Sequence, residues 1–164
     1  MSLFFTNCKQ HQTTSLGSHY FKTFENNREM YLDLPDSSRF DAWEKDVHSK
    51  YKKYKINHSK LKNLNLENVT IKIICAAWCS DTREQVSSFI KIMETLDIPK
   101  ESIKYHFVNR EKKAPGDTFV EKYTFTKVPT FVFFRGALEI GSIIETPAET
   151  LEKDLLWILG KKKQ

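Results

Sequence analysis

The chain has 164 residues, 40% hydrophobic and 13% aromatic, enough for one domain with a buried core and a modest extension. Its 26 Lys and Arg against 21 Asp and Glu leave a net charge of +5. Much of that excess sits in Lys50, Lys52, Lys53, Lys55, Lys60 and Lys62 and in the tail Lys161-Lys162-Lys163, without zinc-finger spacing or an aromatic RNA-binding motif, so a solvated basic face is expected and no nucleic acid.

Residues 1–37 mix polar runs such as Gln10-His11-Gln12-Thr13-Thr14-Ser15 with scattered aromatics, show no period, and are read as an N-terminal extension. The opening Met1-Ser2-Leu3-Phe4-Phe5 has no basic start and no apolar stretch of leader length, and no later segment is apolar for long enough to span a membrane. With an odd count of three cysteines, which argues against a disulfide scaffold, a cytoplasmic protein without a membrane partner is expected.

After the cap-like Pro35-Asp36-Ser37-Ser38, the residues Phe40, Trp43, Val47, Tyr51 and Tyr54 recur at helical spacing and predict a helix over 38–55. A polar, lysine- and asparagine-rich loop over 57–68 then feeds a buried strand over 69–77. From Asp81 the apolar set Val86, Phe89, Ile90, Met93 and Leu96 keeps a helical period until Pro99 forbids continuation. Residues 103–108 read as a strand, 118–123 as a short helix after the Pro115-Gly116-Asp117 turn, and 130–134 and 138–144 as a hairpin around Arg135-Gly136-Ala137. Thr146-Pro147-Ala148-Glu149 reads as a capping box that opens a last helix carrying Leu151, Leu155, Ile158 and Leu159 on one face, with Gly160 as its stop. The order is α/β, a parallel βαβ unit joined to an antiparallel hairpin. It places one domain over 38–160 and a basic tail over 161–164.

The chemistry-bearing segment is Ile73 to Thr82, where an apolar strand ends in Trp78-Cys79 just as the amphipathic helix begins. Free amides and the positive dipole end at a helix start favour a thiolate, so Cys79 is a candidate nucleophile, with Asp81 opposing through its like charge. Cys75, inside the apolar strand, reads as a small buried hydrophobe. About 13 Å of extended chain separates it from Cys79, beyond the roughly 7 Å that a disulfide allows. Cys8 lies in the extension and reads as incidental, or as a remote resolving thiol if that segment folds back over the site. The five histidines show no metal-ligand spacing, so neither a metal nor another cofactor is expected.

Trp78-Cys79 after a strand, Val128-Pro129-Thr130 before the hairpin, and Gly141 in the last strand together resemble the thioredoxin superfamily from about Val69 to Leu159. The resemblance implies a thioredoxin-like fold with a central mixed sheet of about four strands flanked by helices. It also implies a cis Pro129 facing Cys79, and a substrate lying across Trp78, Ser80, Asp81, Val128, Pro129 and Thr130. The site departs from that family where the second cysteine would stand, because the motif reads Cys79-Ser80-Asp81-Thr82; the buried Asp six residues before the first cysteine is here Ile73. Thr82 therefore takes the second catalytic position with only a neutral hydroxyl.

Two readings remain open. One is a monothiol oxidoreductase in which Cys79 forms a mixed disulfide with protein or small-molecule partners, resolved by an external thiol such as glutathione. The other is a binding or holdase-like module that engages client peptides at the Trp78/Pro129 groove without turnover. An iron–sulfur role fits poorly, since monothiol glutaredoxins carry Cys-Gly-Phe-Ser, and the peroxiredoxin arrangement is absent.

Overall fold

The computed structural model describes residues 37–160, with side chains from Lys45 onward. The expected extension and basic tail, and with them Cys8, lie outside the described residues, as do the side chains of Phe40 and Trp43. The elements are α1 (Ser37–Lys53), α2 (His58–Leu61), β1 (Val69–Cys75), α3 (Ser87–Thr95), β2 (Ile103–Phe107), α4 (Thr118–Lys122), β3 (Thr130–Arg135), β4 (Leu138–Ile144) and α5 (Leu151–Leu159). The four strands form one sheet in the order β2-β1-β3-β4, β1 parallel to β2 and antiparallel to β3. This is a thioredoxin-like fold.

Strand β1 is central and buried from both sides because its two alternating sets of side chains serve two cores. Ile71, Ile73 and Cys75 join Val86, Phe89, Ile90, Phe131, Phe133 and Leu155 under α1, α3 and α5. Ile74 and Ala76 join Val108, Val120 and Val128 on the other face, where α4 is the described helix. Fully buried isoleucines at about 1.5–3 kcal/mol each make this strand the anchor of the fold.

Helix α1 is tied down by polar contacts as well as by Val47. The Tyr51 hydroxyl donates to Glu94, and the Tyr54 hydroxyl donates to Glu152 at 3.0 Å. Lys91 reaches the carbonyls of Lys52 and Tyr54 at 3.2 and 2.6 Å, capping the last turn of α1. Burial, with the neighbouring carboxylates, raises both phenols above their ordinary range.

Three expectations are corrected. The loop over 57–68 contains α2, whose Leu61 is buried with Leu64; two leucines were enough to anchor a segment that composition marks as polar. The helical segment over 80–95 carries a π-helical turn at Thr82–Val86. The Ser87 and Ser88 hydroxyls donate to the carbonyls of Arg83 and Glu84, acceptors that a regular helix gives to backbone amides. The last helix does not start at Thr146. Thr150 is its cap, with Oγ1 accepting the Lys153 amide at 3.2 Å, while Asp154 accepts the Ala148 amide at 2.8 Å and so holds the preceding segment as a turn. Gly160 ends that helix in extended rather than left-handed backbone, and a Cβ there would stand 2.3 Å from the Leu156 carbonyl oxygen.

Glu152 is 3% exposed, and its second oxygen accepts the Asn57 amide at 3.0 Å. Glu152→Ala should leave two donors without acceptors and lower unfolding stability by about 2 kcal/mol, read from urea denaturation, with Glu152→Gln losing less.

Candidate functional site

Register builds the site. Ile74 on β1 pairs with Thr130 on antiparallel β3, so the segment leaving β1 and the segment entering β3 meet at one end of the sheet. The first carries Ala76, Ala77, Trp78 and Cys79 into the helix at Ser80; the second carries Val128 and Pro129, joined by a cis peptide. Cys79 is half-buried, and its Sγ–H donates to the Val128 carbonyl at 3.3 Å.

That carbonyl belongs to a pinned stretch. The Thr126 carbonyl accepts from Lys112 Nζ, the Lys127 carbonyl from Thr130 Oγ1 at 2.7 Å, the Val128 carbonyl from Cys79, and the Pro129 carbonyl from the Glu145 amide at 2.6 Å. Four successive acceptors each have a donor, so the loop facing the thiol is fixed from several elements at once.

Trp78 is half-buried against the second core, with the Arg110 guanidinium carbon 5.6 Å from its ring centroid. Its buried indole N–H has no hydrogen-bond acceptor among the described residues. Ser80 is exposed and Asp81 half-buried, while Val128, Pro129 and Thr130 are buried. Thr82 is 1% exposed, and its Oγ1 accepts the Ala76 amide at 3.2 Å, stitching the helix to the end of the strand.

The second thiol, Cys75, is fully buried, and both cysteines are free of disulfides. Burial, then the neighbouring Cys79, pushes the Cys75 thiol well above its ordinary value, so Cys75 is no nucleophile. Ile73 is buried without a carboxyl to offer a proton. Among the described residues no cluster of three or more His, Cys, Asp or Glu stands ready for a metal, and no helix is long and apolar enough to cross a membrane. A cleft lined by Asn68, Thr70, Ser102 and Arg135 opens at the other end of β1, where the Arg135 guanidinium is spent on the carbonyls of Glu67 and Asn65.

Several supporting residues escaped the sequence reading. Arg83 joins the site to α1, and Lys112 joins it to the β2–α4 loop. That loop is anchored by His106, whose Nδ1 donates to Asp117 Oδ2 at 2.7 Å. Asp117, which the sequence shows only as part of the turn before α4, caps that helix by accepting the Phe119 and Val120 amides at 3.0 Å each, and nothing in spacing links it to His106 on a strand.

No protein-family model matches the sequence, and no curated protein does. Among solved structures, the chain is similar to a thioredoxin of Malassezia sympodialis at 19% identity, with 62% of this chain and 84% of that one covered and a TM-score of 0.38. It is also similar to the germline-specific thioredoxin Deadhead of Drosophila melanogaster (19% identity, 48% and 70% covered, TM-score 0.36). Thioredoxin O2 of Arabidopsis thaliana stands at 18% identity, 54% and 72% covered, TM-score 0.35.

Burial works to raise the Asp117 carboxyl, but the hydrogen bonds from His106, Val120 and Phe119 outweigh it and hold the group below its ordinary value. A carboxyl depressed on folding contributes stability above its unfolded value of about 3.9, and that contribution is lost as pH falls through the lower folded value. Asp117→Asn, which keeps a cap, should therefore be about 1 kcal/mol less stable than the parent at pH 7, with the gap in denaturation midpoints closing toward about pH 3.

Proposed function

We propose that the protein is a monothiol thiol–disulfide oxidoreductase with Cys79 as its nucleophile. The Cys79 thiolate attacks one sulfur of a substrate disulfide; a new S–S bond forms, the substrate S–S bond breaks, and the departing sulfur leaves as a thiolate that takes up a proton. An external thiol such as glutathione then attacks the mixed disulfide, restores Cys79 and leaves with the bound half as a second mixed disulfide. Disulfides of proteins or of small molecules fit this chemistry. A reducing compartment such as the cytoplasm would supply the resolving thiol.

The observation that carries this reading is the placement of the half-buried Cys79, its sulfur on the Val128 carbonyl, at the start of a helix. The substrate would lie over Trp78, Ser80 and Asp81 and along the Val128-Pro129-Thr130 segment. Thr82 serves this chemistry from beneath, holding the Ala76 amide so that the turn bearing Cys79 keeps its shape.

A second reading is favoured by the same threonine. A buried hydroxyl committed to the backbone occupies the position where a resolving thiol would stand, which suits a module that binds peptides without turnover.

Cys79→Ser decides between them. In a glutathione-coupled assay with a small disulfide, the variant should lose activity to the uncatalysed background. Retained activity removes the oxidoreductase reading, whereas a parent protein that never turns over but holds a client peptide as tightly as Cys79→Ser does would establish the binding module.

A further inference from the structure

At the end of β1 remote from Cys79, the cleft lined by Asn68, Thr70, Ser102, Arg135 and Gly136 encloses about 520 Å³, within the range of small-molecule sites. Strand register builds its walls. Lys72 on β1 stands opposite Lys104 on parallel β2, so Thr70 and Ser102, two residues back on each chain, come together at the mouth of the cleft. The hydroxyls of Thr70 and Ser102 and the side-chain amide of Asn68 bond to no other described residue. The Arg135 guanidinium is held by the carbonyls of Glu67 and Asn65 at 2.7 and 3.1 Å, which fixes a positive charge in the wall before any ligand arrives. Lys104 is exposed, while the Lys72 ammonium lies 4.0 and 5.1 Å from the ring centroids of Phe119 and Phe134. Like charges directly opposite on neighbouring strands cost stability, and no described carboxylate pairs with either lysine. Glu67 is exposed and makes no ion pair with them; Glu101 faces Lys100, Asp117 binds His106, and Glu139 accepts from Tyr123.

We propose that this cleft binds the phosphate group of a phosphorylated small molecule. Thr70, Ser102 and Asn68 donate the hydrogen bonds, Arg135 supplies the fixed charge, and Lys104 closes over the anion from two residues along the strand, about 6.6 Å. A bound phosphate carries roughly −1.5 to −2 charge and three acceptor oxygens, which match this set of donors and cations. A carboxylate, with a single charge and two oxygens, would leave part of the set unmatched. The volume beyond the phosphate takes the rest of the molecule. The anion also relieves the repulsion between Lys72 and Lys104, so one ligand answers both the unspent donors and the unbalanced charge. The cleft stands at the far end of β1 from Cys79, so its ligand is independent of the thiol's role.

The test is thermal unfolding of the full chain in phosphate-free buffer near neutral pH. Ribose 5-phosphate should raise the unfolding midpoint by about 3 °C at roughly tenfold its half-saturating concentration. Inorganic phosphate should act only at higher concentration, and ribose, or potassium chloride at matched ionic strength, should have no effect. In amide NMR spectra the Thr70, Ser102 and Gly136 signals should move while that of Cys79 stays. Without ligand, Lys104→Gln should unfold no lower than the parent, because it removes the repulsion on Lys72, and it should need about fivefold more ribose 5-phosphate. Ser102→Ala should weaken binding as well and decides alone if Lys104→Gln fails to fold, whereas Lys122→Gln on α4 should match the parent. No shift overturns the proposal, and so does a shift that chloride reproduces or that Lys122→Gln loses as fully as Lys104→Gln, since either marks screening of a basic chain. Inorganic phosphate binding as tightly as the ester overturns the phosphorylated small molecule in favour of free phosphate.

Discussion

Everything at the Cys79 end of the molecule depends on one register, Ile74 opposite Thr130. Side chains alternate along a strand, so a slip of one residue would exchange the faces on which Ile73 and Ile74 sit. It would also move Val128 away from the sulfur that donates to its carbonyl. The register is held by burial rather than by the site itself, since Ile71, Ile73, Ile74, Phe131, Val132 and Phe133 are all 0% exposed. Slippage would have to move this apolar set out of both cores together, at a cost of several kcal/mol. The candidate site stands on a strand pairing that it does not help to stabilise.

Upon that frame the polar groups divide the remaining work. Thr82 closes the strand-to-helix junction from below, and Thr130 closes the opposite loop by reaching the Lys127 carbonyl. Both are buried, and both use a hydroxyl where an apolar β-branched residue would leave a backbone group unmatched. Ser87 and Ser88, also buried, turn their hydroxyls onto the previous turn of the helix. Buried hydroxyls are thus the means by which the two site-bearing segments are kept rigid without placing a charge in the core.

The parts of this arrangement legible in the sequence are those fixed by local pattern. The apolar run before Cys79, the period of Val86, Phe89, Ile90 and Met93, and the turn at Gly136 each carry a short-range signal that the structure follows; Gly136 has φ +61, as a tight hairpin turn of mirror-image hand requires. The capping box at Thr146 was equally legible and misleading. A second acceptor pattern four residues later, Thr150 with Asp154, takes the role instead: Thr150 accepts the Lys153 amide and Asp154 the Ala148 amide, so the residues after Thr146 are held as a turn. What sequence could not show is the set of contacts joining distant segments: Asp46 to Arg83, Lys112 to Thr126, His106 to Asp117 and Tyr54 to Glu152. Each pairs common surface residue types at separations set only by the tertiary fold.

A thiol held in this way has a different kinetic position from one with a neighbour of its own kind. With Cys75 sealed in the core and Thr82 committed to the Ala76 amide, no described group near Cys79 can attack a sulfur attached to it. In the proposed reaction, release of a bound partner then depends on the concentration and the nucleophilicity of a thiol arriving from outside. The Val128 carbonyl adds a second consequence. It accepts from the free thiol at 3.3 Å, and once the sulfur is in a disulfide that donor is gone, leaving a largely buried acceptor beside the new bond. An unmatched buried carbonyl costs about 1–3 kcal/mol. Under the proposed function, a partner that offers an N–H at that point would be held longer than one that does not, and the carbonyl that positions the free thiol would also discriminate among partners.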